Sequence, residues 1–373
     1  MNRDRLHVIF GVPFDGLTMP EALAAIDDAI RRRERLFVST PNLSFFTQSA
    51  RDAAFRDSLF ESDLNLADGA PVLWLARLLR TPIPCRVPGS DLYDAMRARQ
   101  PKEGQRPLRV YFFGGPEGAA EQAFDRVNRS AAGIRAVGWS YPGFRSAAEM
   151  SDPQTIEAIN NSEADLLVVA LGARKGQEWL MLNRDRIRVP VRVHLGAVIN
   201  FEAGRIQRAP ALFRRFALEW LWRIKEEPEL FKRYAADFMT LVRLLITGVI
   251  PDVSRRFRTP SDAALLVERH EHGNKVTVTL SGHAGNDQID GLVTAFDTAL
   301  AAGKDVVLEV HGLQFVGTAA LGQFASLKRA LDRTSCRLSF EGLTGQPHTA
   351  CHAFGMDAVL GLSSGTAMST PPQ

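Results

Sequence analysis

Asp68 lies in the run ADGAP (67–71), and Thr40 and Asn42 lie in STPN (39–42), each just after a short apolar stretch. A carboxylate at a strand-end turn is suited to taking a proton from a hydroxyl, with hydroxyl and amide neighbours to orient the reactants. An Asp-Gly pair also serves as a plain turn, and from the residues alone that reading stays open. Arg86 and Asp91, in RVPGSDL (86–92), suit an anion contact or a surface ion pair. Two glycine-bearing runs follow apolar segments: YFFGGPEGAAE with Gly114, Gly115 and Gly118, and VVALGARKGQE with Gly172 and Gly176. A strand, a glycine turn and a helix in that order aim backbone N–H groups and the positive helix end at an anion such as a diphosphate. Tight turns alone also explain these glycines. Neither run is a G-x-G-x-x-G with a downstream acid, so a nicotinamide-linked oxidoreductase finds no support.

The elements that must position these residues are legible up to about residue 204. RLFVST (35–40), RVYFFGG (109–115), DLLVVALG (165–172) and VRVHLGAV (191–198) read as buried strands. Helical patterns occupy 44–61 and 71–80, and further helices are predicted from Pro116 and from about Gln177. Continuous apolar strands alternating with helices predict an α/β fold with a parallel sheet covered on both faces. Ligands of such sheets bind at the carboxyl ends of the strands, where the candidate residues fall.

Residues 205–250 change character, being helical, aromatic and arginine-rich. Arg208, Arg214, Arg215, Arg223 and Arg233 are candidates for neutralising phosphate, since guanidinium binds it in a bidentate fork. The same arginines also suit the wet face of an ordinary amphipathic helix. Trp220, Trp222, Phe213 and Phe216 read as core residues or as anchors in a headgroup layer. PDVSRRFRTPSD (251–262) is charged and turn-prone and reads as a linker. A second α/β pattern follows, opening with a hairpin turned at Gly273-Asn274, and the tail from about Ser363 reads as disordered.

The bulk numbers set few limits. A chain of 373 residues with 45% hydrophobic and 23% charged residues fits two globular domains, and a net charge of +3 implies no nucleic-acid partner. Cys85, Cys336 and Cys351 form no C-x-x-C pair, so neither a zinc site nor a dithiol motif is expected, and all three read as small buried hydrophobes. The N-terminal residues lack a signal-peptide core and no stretch reaches the ~20 apolar residues that span a bilayer, so a cytoplasmic chain is expected.

Residues 8–245 resemble the WecG/TagA/CpsF glycosyltransferase family. The likeness is carried in order by Thr40-x-Asn42, ADGAPVLWLARLL, RVPGSDL, FFGG, GWSYPGF, ADLLVVALGARKGQEWL, NRDRI and GRIQRAP…FALEWLWRIKEEPELFKRY. It implies an inverting, metal-independent transfer of an N-acetylmannosamine-type or related hexose from UDP to an undecaprenyl-diphosphate-linked acceptor, with no cofactor. It implies Asp68 as catalytic base, Thr40 and Asn42 beside it, and a peripheral position at the inner membrane face. Substrate contacts are expected from Arg86, Gly114, Gly115, Gly172, Lys175, Gln177 and Glu178, with the arginines of the appendage. This chain departs from the family at GARKGQE, where the usual proline is replaced and a residue is inserted before Gln177. It departs again at Leu230, where an arginine is usual and Lys232 and Arg233 stand close by.

Residues 262–362 are similar to a STAS domain, on VTVTLSG, DVVLEVHGLQFVGTAALGQFASLKRAL and RLSFEGL. The signature F-x-D-S-S-G-L reads here Phe315-Val316-Gly317-Thr318-Ala319-Ala320-Leu321. Only Thr318 keeps a hydroxyl at the switch position, so a constitutive interaction or self-association module is expected there rather than a phosphoswitch. The expected order is a Rossmann-like transferase core (1–204), a helical appendage (205–250), a linker (251–261), a STAS-like domain (262–362) and a tail (363–373). The alternative is a degenerate transferase that senses a nucleotide sugar and acts as a regulatory scaffold.

Overall fold

The computed structural model describes residues 6–100, 106–130, 133–210, 212–213, 218–256 and 263–362. The chain folds as two compact units, each assembled from separated stretches: Leu17–Val72 with Pro84–Phe238, and Met1–Gly16 with Leu73–Ile83 and Met239–Gln373. The chain opens in the second unit with a hairpin, β1 (Leu6–Ile9) and β2 (Val12–Asp15).

The first unit then runs α1 (Met19–Arg32), β3 (Leu36–Ser39), α2 (Leu43–Ser49), α3 (Ala53–Phe60), β4 (Leu64–Asn65) and the start of α4 (Ala70–Leu78). It continues with α5 (Gly89–Arg97), β5 (Leu108–Gly114), α6 (Ala119–Ser130), β6 (Ile134–Ser140) and α7 (Pro153–Asn161). After these come β7 (Leu166–Ala170), α8 (Ala173–Leu182), β8 (Val191–His194), α9 (Val198–Glu202), α10 (Glu219–Glu226) and α11 (Leu230–Leu244) as far as Phe238. The six strands are parallel in the order β4-β3-β8-β7-β5-β6. Val110, Phe112, Leu166, Val168, Val191 and Val193 pack on one face, while Tyr111, Phe113, Leu167 and Val169 pack on the other with Trp179. Both faces are covered because both sets of alternating positions are apolar. Each such side chain, fully buried, contributes roughly 1.5–3 kcal/mol.

In the second unit α11 passes through a π turn at Leu245–Val249 into α12 (Ile250–Arg256). Then come the hairpin β9 (Leu266–His272) and β10 (Lys275–Ala284), α13 (Asp290–Ala301), β11 (Asp305–Val316), α14 (Thr318–Asp332), β12 (Leu338–Glu341), α15 (Gly345–Ala353) and α16 (Asp357–Leu360). The sheet order is β12-β11-β10-β9, antiparallel only between β10 and β9.

The α/β architecture is the one expected, with several corrections. The predicted helix over 44–61 is two helices, because Asp52 turns the chain and caps α3 by accepting the Phe55 N–H at 3.1 Å. The helix expected from Gln177 starts at Ala173, with Gly172 as its N-cap at φ 77°. The supposed linker is helical through Arg256, continuing α11 without a break; its residues 257–262, and the tail 363–373, lie outside the described residues. Only Cys351 is buried; Cys85 and Cys336 are partly exposed. The hairpin at 6–15 is not part of the sequence reading, since a short run that mixes apolar residues with His7, Gly11, Pro13 and Asp15 matches neither a plain strand nor a helix. Its turn rests on Phe10 and Gly11, both in the left-handed region at φ 47° and 75°.

Candidate active site

Asp68 stands just beyond β4, at the carboxyl edge of the sheet, in a turn made possible by Gly69 at φ 97°. Its N–H donates to the Pro41 carbonyl at 3.0 Å, and the Ala67 carbonyl accepts the Val87 N–H at 2.7 Å. These bonds tie the ADGAP run between the STPN loop and the RVPGSDL run. Thr40, 8% exposed, ends β3 on one side. On the other side Gly89 opens α5 with its bare Cα against Thr40, where a Cβ would lie 3.1 Å from Thr40 Oγ1 and overlap Leu195. The Gly89 N–H donates to the Asp68 carboxylate, so the positive end of α5 points at it.

The electrostatics of this carboxyl are set by its neighbours. The Asp68 pKa is pushed up to about 7, chiefly because the packing around the carboxyl removes water from the charged form, and further by the Glu219 and Asp91 carboxylates. Arg86 and the Gly89 N–H oppose the rise without cancelling it. Arg86 forms an ion pair with Glu219 at 3.2 Å, and Arg208 pairs with Asp91 and Asp94. Arg86 and Asp91 thus belong to two separate ion pairs, each made with the appendage. Thr40, Asp68, Arg86 and Arg208 lie together along this edge, with Glu219 of the LEWLWR block paired to Arg86.

The strands next to β4 carry the rest of the edge. β8 ends in His194, between β3 and β7, which sequence reasoning passed over as part of an apolar strand. Burial holds its pKa down at about 4, so the ring is neutral, and among the described residues its Nε2 has no hydrogen-bond partner. Gly176 lies flat against this ring, where any side chain would overlap it. Gly176, in the unusual GARKGQE run that opens α8, therefore makes room for His194. Two residues beyond β7 stands Gly172, the exposed N-cap of α8; among the described residues nothing lies within 4 Å of where its Cβ would point, and α8 has no side-chain cap. Asp68, Thr40, His194 and Gly172 mark four adjacent strand ends, spanning three strand spacings or roughly 14 Å.

The remaining candidates are placed as follows. Asn42 caps α2, its Oδ1 accepting the Ser44 N–H at 3.0 Å. Gln177 is buried and donates to Ser39 Oγ at 2.6 Å, inside the protein rather than at an open edge. Lys175 reaches the Arg145 carbonyl at 3.1 Å and Glu178 is exposed. The Gly115 N–H is spent on the Ala170 carbonyl at 2.7 Å, and Gly114 packs on that same carbonyl, so this turn holds β5 to β7 rather than offering N–H groups to an anion. Arg223 pairs with Glu227 at 2.6 Å, and Arg233 lies 5.1 Å from the Tyr234 ring centroid. Arg214, Arg215 and Phe216 lie outside the described residues. Among the described residues, no group of three or more His, Cys, Asp or Glu side chains is arranged to hold a metal ion.

The appendage is tied to this edge by a further contact, in which Thr47 of α2 donates to Asp237 of α11 at 3.0 Å. No described helix is long and apolar enough to cross a membrane. Phe231 (61% exposed), Phe238 (60%), Met239 (65%), Ile246 (59%) and Ile250 (57%) leave large apolar surface along the helical run of α11 and α12.

Residues 7–252 match the Glycosyl transferase WecG/TagA/CpsF family, and residues 267–362 match the family described as Mlab, STAS domain. A protein of Bacillus spizizenii named N-acetylglucosaminyldiphosphoundecaprenol N-acetyl-beta-D-mannosaminyltransferase is 28% identical over 188 residues, or 50% of this chain and 70% of its own. A Staphylococcus aureus protein of the same name is 24% identical over 217 residues, or 58% of this chain and 82% of its own.

Proposed function

This chain belongs to the WecG/TagA/CpsF family of glycosyl transferases, and from that premise we propose that it moves a hexose of N-acetylmannosamine type from UDP, with inversion, to a saccharide on undecaprenyl diphosphate. The observation that carries the reading is Asp68, a carboxyl with a pKa of about 7 beside Thr40 at the carboxyl edge of a parallel sheet. A base poised near the working pH combines a useful ionised fraction with enough basicity to accept a proton.

In this reading ionised Asp68 takes the proton of the acceptor hydroxyl. The hydroxyl oxygen attacks the anomeric carbon as the bond from that carbon to the β-phosphate oxygen breaks, and the electron pair leaves with UDP. Charge growing on the departing diphosphate is met by Arg86 and Arg208, once the phosphate competes with Glu219 and Asp91 for them, and by the uncapped end of α8 at Gly172. No metal is assigned a step. The acceptor is lipid-linked, and the exposed apolar residues of α11 and α12, interleaved with Lys232, Arg233 and Arg243, suit a helix lying in a headgroup layer at the inner membrane face.

The test is transfer from a panel of UDP-hexoses, UDP-N-acetylmannosamine included, to N-acetylglucosamine on a polyprenyl diphosphate, with products read by mass spectrometry. Asp68→Asn is expected to lower kcat by about 10²–10⁴-fold with donor binding retained. Full activity in that variant would remove Asp68 as base. A wild-type chain that binds UDP yet transfers from no donor would favour the scaffold reading.

A further inference from the structure

The hairpin of β1 and β2 is among the most apolar parts of the chain, with Val8, Ile9, Val12 and Phe14 all at 0% exposure. A lone two-stranded hairpin is marginal in water and needs a partner face. α14 supplies it. Thr318 through Ala325 are all buried, so the helix is covered on every side. Gly322 on α14 sits where a Cβ would overlap the Leu6 carbonyl, so the edge of β1 reaches the helix backbone itself. At the hairpin tip the Phe10 ring stacks on Phe354 beside α15, with centroids 4.9 Å apart and planes 7° apart, and Gly248 of the π turn leaves room for that ring.

The N-terminal end of α14 is closed as well. Thr318 is 1% exposed, and its Oγ1 lies 2.9 Å from Thr81 Oγ1 and donates to Asn286 Oδ1 at 3.0 Å. The same Oδ1 accepts the Ala319 N–H at 2.9 Å and so caps the helix. Asn286 Nδ2 donates to the Arg80 carbonyl at 2.8 Å. Arg80 is in the left-handed region, at φ 54°, in the turn that follows α4. The Thr318 hydroxyl and the Ala319 N–H at this helix end are thus engaged by Asn286 and Thr81.

We propose that residues 263–362 are an intramolecular buttress, docked in cis on the hairpin 6–15 and on the Arg80-Thr81 turn, with the Thr318 end of α14 as the buckle. The surface on which a STAS-like module would offer a switch hydroxyl to a kinase or a partner protein is filled here by the chain's own residues. Its occupant is segments 6–15 and 79–81 of the same molecule. The apolar area and the matched polar groups argue for this occupant, since leaving Val8, Ile9 and Phe14 in water while orphaning a buried hydroxyl and an amide costs stability on both counts. The proposal does not depend on the transfer chemistry.

Disulfide trapping in the full-length chain tests it. In T81C/T318C the two sulfurs replace oxygens 2.9 Å apart. Mild oxidation is expected to give one cross-link within a chain, with monomer mobility on a non-reducing gel and a joined 81–318 peptide pair by mass spectrometry. Thiols that both stay open to alkylation in the folded chain, or a bond formed only between two chains, would overturn docking in cis. Should that variant not fold, Gly322→Ala gives an independent answer. Such a change in a helix interior ordinarily stabilises. Here a lower Tm is expected, with amide exchange at Val8–Phe14 rising at least tenfold while β5 and β7 stay unchanged. A raised Tm, or unchanged exchange in the hairpin, would overturn the proposal.

Discussion

Asp68 is surrounded by charges of both signs, and their balance can be moved one residue at a time. Glu219 and Asp91 raise its pKa, while Arg86 lowers it. Glu219→Gln removes a raising charge and frees Arg86, so the acid limb of kcat/KM, expected near pH 7, should move to lower pH. Arg86→Gln should move the same limb up. Two pH profiles of transfer decide this, and limbs that shift together or not at all would detach the limb from Asp68. The raised pKa also has a consequence for stability. A carboxyl near 3.8 when unfolded and about 7 when folded favours its neutral form in the fold, so its contribution is fully present below about pH 4 and is lost as pH rises through 7. Asp68→Asn, always neutral, should therefore melt higher than wild type at pH 8 and show no such gain at pH 4. That comparison of Tm values separates a strained functional residue from a stabilising cap.

Single elements place these residues, and two of them carry double duty that substitutions can separate. Asn42 caps α2 through Oδ1. Asn42→Ala should cost about 1 kcal/mol of stability. Asn42→Asp keeps the cap, so loss of transfer in that variant at unchanged Tm would mark a substrate contact beyond capping. The helical run of α11 and α12 packs Asp237 and Leu241 inward and leaves Phe238 and Met239 in solvent. Phe238→Glu with Met239→Glu should sharply reduce co-sedimentation with vesicles containing anionic lipid while leaving transfer to a detergent-dispersed acceptor intact. The run GARKGQE, which departs from the family in the sequence, forms the start of α8 and proves to be a local fit. Gly176 faces a histidine 18 positions further along the chain, and no reading of either residue alone would pair them.

At the scale of the whole molecule the two compact units cut across the two sequence families, since the N-terminal hairpin and Leu73–Ile83 fold with the C-terminal residues. In native-state hydrogen exchange the β1 and β2 amides should open together with those of α14 and not with β5 and β7. Opening in step with the six-stranded sheet would contradict that grouping. The sequence by itself determined the parallel-sheet core, the second α/β module, and the runs holding Thr40, Asp68 and Arg86, because apolar periodicity and local turn chemistry are properties of neighbours along the chain. It could not assign Gly114 and Gly115 to bracing β5 against β7, nor bring Glu219 and Asp91 beside Asp68, nor seat Gly176 on His194. Those depend on contacts between residues up to about 150 positions apart, and both the proton affinity of a carboxyl and the burial of a hairpin are set by what the fold packs around them.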